Sequence, residues 1–224
     1  MTTRRPKIRR DKVRSSKPRQ AKVQNQSKIG TQVGTQHGRA AARIFAANDR
    51  MNQVLIERLD PSTWTATLKT ATLKTGKLAT AKPGKVRTIA AIFTHMHNMR
   101  AKWVRLTAPH LKVPAQLDRA HCTREQARAG LGESAARCED MLGEALGGEG
   151  RIEKFLRDGW ARPWPVGVEM LCYMVTHEAH HRGQVCMLAH QLGFPLPVAV
   201  TAGIWNWEKL WRECGAPSGP GSDA

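Results

Sequence analysis

The sequence predicts an all-α protein, a bundle of four long helices followed by a short fifth. Apolar residues recur at one- and two-turn spacings along four long stretches, and no stretch shows a convincing period-two alternation. Glycine and proline cluster where each periodic stretch stops. With 224 residues and 41% hydrophobic content, the chain is long enough for one well-buried domain plus an appendage. Four long helices joined by loops, with no convincing strand, favour an antiparallel-type four-helix bundle.

The first helix is expected from Ala40, where Ile44, Met51, Leu55 and Leu59 define a stripe that Asp60-Pro61 closes. From Trp64 to Lys82 the Thr-rich near-repeat, followed by Pro83-Gly84, reads as a long loop. Lys85 to Ala108 is the second helix, with Val86, Ile89, Ile92, Phe93, Met96, Trp103 and Leu106 on one side and Pro109 as its stop. The third runs from Thr123 to Leu146 and ends at Gly147-Gly148. A Trp/Pro-rich link leads to the fourth, Val166–Leu192, stopped by Gly193 and Pro195. Thr201 to Cys214 is a short final helix, and the tail from Gly215 is loose. The domain therefore spans 39–214, between an arm at 1–38 and a tail at 215–224.

The arm carries eleven Lys/Arg against the single acid Asp11, so it holds +10 of the net +18. It has no aromatic and few aliphatics, too little to offset ordering entropy by burial, and is expected to be disordered. Arg4, Arg5, Lys7, Arg9 and Arg10 make it a candidate for non-specific nucleic-acid binding through phosphates, although the composition equally suits a solubility tail. No apolar run approaches the length of a membrane span, and no secretory h-region is present. The five cysteines form no CxxC pair and no even framework, in keeping with reduced thiols and a cytoplasmic protein.

Nine histidines supply the chemistry. His37, His110 and His121 fall in the arm or near helix ends, where solvent exposure is expected. His177 and His181, four apart on the fourth helix, present two imidazoles on one face, a spacing that suits one metal ion. A third ligand must come from another helix. His95 and His97 are about 200° apart around a helix, so they cannot both serve; His95, in line with Ile92, Met99 and Trp103, is favoured. Three neutral imidazoles leave coordination positions open for water or substrate on zinc, nickel or a similar divalent ion. His177-Glu178-Ala179-His180-His181 also matches H-E-x-x-H, which would make Glu178 the general base of a zincin-like metallopeptidase. The longer metzincin pattern fails, with Gln184 and Met187 where its Gly and third His belong, and no strand is predicted that could hold an extended peptide.

The run Thr88-Ile-Ala-Ala-Ile-Phe-Thr-His95-Met-His-Asn-Met-Arg-Ala-Lys-Trp103, together with His177-Glu-Ala-His-His181-Arg-Gly-Gln184, resembles the DinB/YfiT-like superfamily, a group of four-helix-bundle proteins distinct from the DNA polymerase sharing the name. The resemblance covers roughly 40–214. It implies a bundle, often dimeric, that binds a divalent metal through His95, His177 and His181. It also implies action on a small-molecule substrate, as a thiol S-transferase using a low-molecular-weight thiol (bacillithiol, mycothiol or glutathione) or as a hydrolase. Glu178 or His180 is then expected to move the proton, and Arg182, Gln184 or His97 to contact the thiol or substrate. For Arg182 a salt bridge between helices is the favoured role, and Gly183 suits close approach of a neighbouring helix.

Overall fold

The computed structural model describes residues 18–67, 87–148, 150–156 and 163–215, with side chains from residue 36 onward. It is an all-α bundle of α1 (Pro18–Arg58), α2 (Ile89–Thr107), α3 (Arg124–Leu146) and α4 (Val168–Gln191), followed by α5 (Val198–Gly203) and α6 (Trp207–Glu213).

Capping chemistry sets most of these ends. Thr88 Oγ1 accepts from the Ala91 amide at the start of α2, and Thr123 with Gln126 forms a reciprocal capping box on α3. Gly193, at φ 89°, closes α4 while the Phe194 amide reaches back to the Ala189 carbonyl. The single final helix expected over Thr201–Cys214 is instead two, because Asn206 accepts from the Lys209 amide and starts α6 afresh. A two-residue antiparallel ladder, Lys154–Phe155 with Trp164–Pro165, adds a strand pair that the sequence pattern did not announce.

Helix α1 begins at Pro18 and not near Ala40, so residues 18–38 of the expected disordered arm are helical backbone. Pro18 occupies the first helical position, and the Arg, Gln, Ala and Lys that follow are good helix formers. The helix then crosses α3 closely: a Cβ on Gly38 would lie 2.5 Å from the Gly143 carbonyl oxygen. Residues 1–17, the Thr-rich loop from 68 onward and the tail from 216 lie outside the described residues.

Two apolar cores stack along the bundle. One gathers Leu55, Ile56, Ile89, Phe93, Met96, Leu131 and Val185; the other gathers Phe45, Trp103, Val104, Cys138, Leu142, Met170 and Met174. Helices α1 and α4 run from the second core to the first, and α2 and α3 run the opposite way. The order is therefore up-down-down-up, with the connection between α2 and α3 returning along the bundle. At mid-height Asn48, Asp49, Asn52, Arg100, Glu178 and Arg182 form a buried polar layer. The functional site lies beside that layer on α2 and α4.

Candidate metal centre

His95 comes from α2, and His177 and His181 come from successive turns of α4. One ligand nitrogen from each lies within 4.8 Å of the others. The Nε2 atoms of His177 and His181 are 3.3 Å apart, and His95 sits with its ring centroid 5.4 Å from that of His177 and 4.7 Å from that of His181. His181 is buried, while His95 and His177 are half-buried. The Trp103 ring meets His177 edge-on at 5.4 Å, and Tyr173, one turn earlier on α4, stacks on it at 6.1 Å and 29°. These two aromatics fix the plane of His177.

Hydrogen bonds fix the other ring on α4. Gln184 Oε1 lies 2.8 Å from His181 Nδ1, and Gln184 Nε2 lies 2.9 Å from His180 Nε2. The amide oxygen can only accept, so His181 carries its proton on Nδ1 and presents a bare Nε2 to the centre. Burial, then the neighbouring His181 and His177, and after them Arg119 and Arg87, push the His95 imidazole down to about 3. Burial likewise lowers His181. Neutral rings whose lone pairs converge are what a cation needs and what protons do not satisfy here. A tetrahedral ion with metal–nitrogen bonds of about 2.05 Å has a nitrogen–nitrogen edge of about 3.3 Å. The donor set fits a borderline transition metal; among the described residues no carboxylate or thiolate joins the group.

The model of the DinB family matches residues 35–208, which include all three histidines. The chain belongs to the DinB family. No curated protein and no solved structure matches it.

Within this DinB-family bundle the remaining expected site residues separate. Glu178 is fully buried, and its side chain joins the polar layer and not the histidines. Arg100 holds it with a two-pronged pair, Nε to Oε1 at 2.6 Å and Nη2 to Oε2 at 2.7 Å, while Asn48 and Asn52 donate to Oε2 at 2.6 and 2.8 Å. Burial opposes its ionisation, but Arg100 outweighs burial and holds the carboxyl below its ordinary value. A carboxylate so engaged is no general base, which corrects both the catalytic role expected of Glu178 and the zincin-like peptidase built on it. Arg182 is corrected in the same way. It is buried and donates to the Asn48 and Asn52 side-chain oxygens at 2.7 and 3.1 Å, so its guanidinium is engaged in bracing α1 against α4.

His97 is also corrected. It is buried, with its two ring nitrogens each 2.8 Å from a backbone carbonyl oxygen, of Gly130 and of Ala115, and so ties the α2–α3 connection to α3. His180 remains exposed at the rim, joined to His181 through Gln184. Gly183 meets no neighbouring helix: a Cβ there would touch nothing within 4 Å. His37, His110 and His121 are exposed, as expected. Arg4, Arg5, Lys7, Arg9 and Arg10 lie outside the described residues. Among the described residues no helix is long and apolar enough to cross a membrane.

The sequence reading missed Asn48, Asp49, Asn52, Arg100 and Tyr173. Two signals were there. Arg100 interrupts the apolar stripe of α2 between Met96 and Trp103, and Tyr173 is the lone tyrosine, four residues before His177.

Proposed function

We propose that the chain is a divalent-metal-dependent enzyme, a thiol S-transferase or a hydrolase, that works at His95, His177 and His181. The observation that carries this reading is the convergence of the His95, His177 and His181 imidazoles, with no carboxylate joining them among the described residues. Zinc, nickel or a similar ion held there supplies Lewis acidity and favours the deprotonated form of a thiol or water brought beside it. The chain's own residues do the rest. Gln184 keeps His181 in the Nδ1–H tautomer, and Trp103 and Tyr173 hold His177 in plane and limit water on that side. His180, exposed and bonded to Gln184, is the group placed to pass a proton to solvent. A low-molecular-weight thiol as co-substrate, a cytoplasmic setting and a homodimer belong to the same proposal.

The test is elemental analysis of full-length protein purified without a tag or added metal, beside His177→Ala. About one transition metal per chain, lost in the variant, is the expected result. Chelator-sensitive transfer of glutathione, bacillithiol or mycothiol to an aryl halide electrophile then separates the transferase from the hydrolase. Absence of metal even after reconstitution would overturn the reading.

A further inference from the structure

Beside the three-His centre lies a cavity of about 610 Å³, open to solvent, in the range of small-molecule sites. Its wall adjoins the centre without opening into it: His180 and Gln184 line the cavity, and Gln184 is hydrogen-bonded to His181 on the other side. Its floor is apolar, made by Ile92, Met187 and Leu188. Gly183 keeps it open: the glycine lines the cavity, and a Cβ there meets nothing within 4 Å, so the space is available to a ligand. A mid-helix glycine costs about 1 kcal/mol against alanine, and no packing partner in the described fold accounts for it.

Arg87, immediately before the Thr88 cap of α2, is the single Lys, Arg, Asp or Glu among the described residues that line this cavity. Its side chain is exposed and free to meet a ligand from solvent. One cation over an apolar floor matches one anionic charge on an apolar body. A guanidinium grips a carboxylate with two parallel hydrogen bonds, whereas a phosphate dianion would leave charge unmatched over Ile92, Met187 and Leu188.

We propose that this cavity binds a small amphipathic carboxylate, its carboxylate held by Arg87 near the three-His centre and its apolar body lying along Ile92, Met187 and Leu188. This names the substrate class for the enzyme proposed above and rests on that reading of the centre. Arg87 is then a specificity-determining residue.

Octanoate is a suitable probe, titrated calorimetrically into the full-length, zinc-loaded protein with octanol as the uncharged control. The expected result is saturable octanoate binding that weakens with salt and falls about tenfold or more in Arg87→Gln. Arg87→Lys should recover part of it, and octanol should bind no better to the wild type than to Arg87→Gln. Gly183→Leu, which fills the cavity while improving helix propensity, should abolish binding with the helical circular-dichroism signal intact. Octanoate affinity unchanged in Arg87→Gln, or retained in Gly183→Leu, overturns the proposal. So does binding that needs the zinc but not Arg87, which makes the carboxylate a mere metal ligand. So does a loss in Arg119→Gln as large as in Arg87→Gln, since it makes the attraction diffuse. The metal content of each sample is measured separately. Arg87-dependent binding in a protein that takes up no metal supports the carboxylate site and overturns only the enzymatic reading of the centre.

Discussion

Helix α4 carries two pairs of chemistry-bearing residues at the same spacing and one position apart, His177 with His181 and Glu178 with Arg182. A step of one residue is about 100° of helix, and that rotation separates two environments. Glu178 and Arg182 turn into the bundle, where Asn48, Asn52 and Arg100 satisfy them. His177 and His181 turn toward His95, where the rings meet each other and a solvent-open cavity lies alongside. The closed cluster spends its hydrogen-bonding capacity on holding helices together. The open one keeps lone pairs for something the chain does not supply. The difference between scaffold and site is here a matter of which acceptors are already taken, not of residue type.

The comparison breaks first on stability. Glu178→Ala leaves the Arg100 guanidinium fully buried without its two-pronged partner. Breaking a buried pair on one side costs about 3–5 kcal/mol, so the urea midpoint should fall steeply in protein stripped of metal. His177→Ala and His181→Ala should move that metal-free midpoint by no more than about 1 kcal/mol yet abolish stoichiometric metal binding. Metal-free Glu178→Ala as stable as the wild type would mean that the layer is not the scaffold it resembles.

The folding pattern was legible because it lies in local signals. The Thr123–Gln126 box, Gly193 and the stripes of α2 and α4 mark their helices without tertiary information. The metal set was legible for a similar reason, since i,i+4 histidines need only helical geometry, and angular bookkeeping on α2 chose His95 over His97. The role of Glu178 was not legible. Its motif neighbours are histidines, and the residues that claim it, Asn48, Asn52 and Arg100, lie 78 to 130 positions away in sequence. The helical start at Pro18 escaped for the opposite reason: the stretch before Ala40 carries no apolar stripe, although Pro18 and the Arg, Gln, Ala and Lys after it suit a helix start.

Gln184 sharpens the comparison at intermediate scale. It touches the open cluster without belonging to it, orienting His181 from behind. Loss of such a bond to a ligating histidine costs about 10–100-fold in metal affinity. Gln184→Ala should show that loss in a competition titration while its metal-free urea midpoint stays near wild type, and Gln184→Glu, which keeps an acceptor at the same reach, should recover most of it. Equal affinities in all three proteins would detach Gln184 from the centre.

The smallest expected effect concerns the rim of the closed cluster. Burial first, and then the negative charge of Asp49, pushes the Glu139 carboxyl up to about 7, although Arg100 pulls the other way. In the unfolded chain the same group titrates near the ordinary glutamate value of 4.5. Between those two values the folded protein therefore binds a proton that the unfolded chain has released, so this group makes stability fall as pH rises through the window and level off above about 7. Glu139→Gln keeps the shape without the charge and should flatten that part of the curve, with its stability gain over the wild type appearing at pH 8 and vanishing near pH 4. Glu178 has the opposite sign: its carboxyl is held below the ordinary value, so its stabilisation is complete above about pH 4.5 and is lost only as pH falls through its folded pKa. Metal-free urea melts of the wild type, Glu139→Gln and His181→Ala across pH 4 to 8 measure these slopes directly. A falling slope that Glu139→Gln leaves untouched would detach Glu139 from the pH dependence, and His181→Ala should only steepen it, since burial lowers the His181 imidazole and gives it the opposite sign.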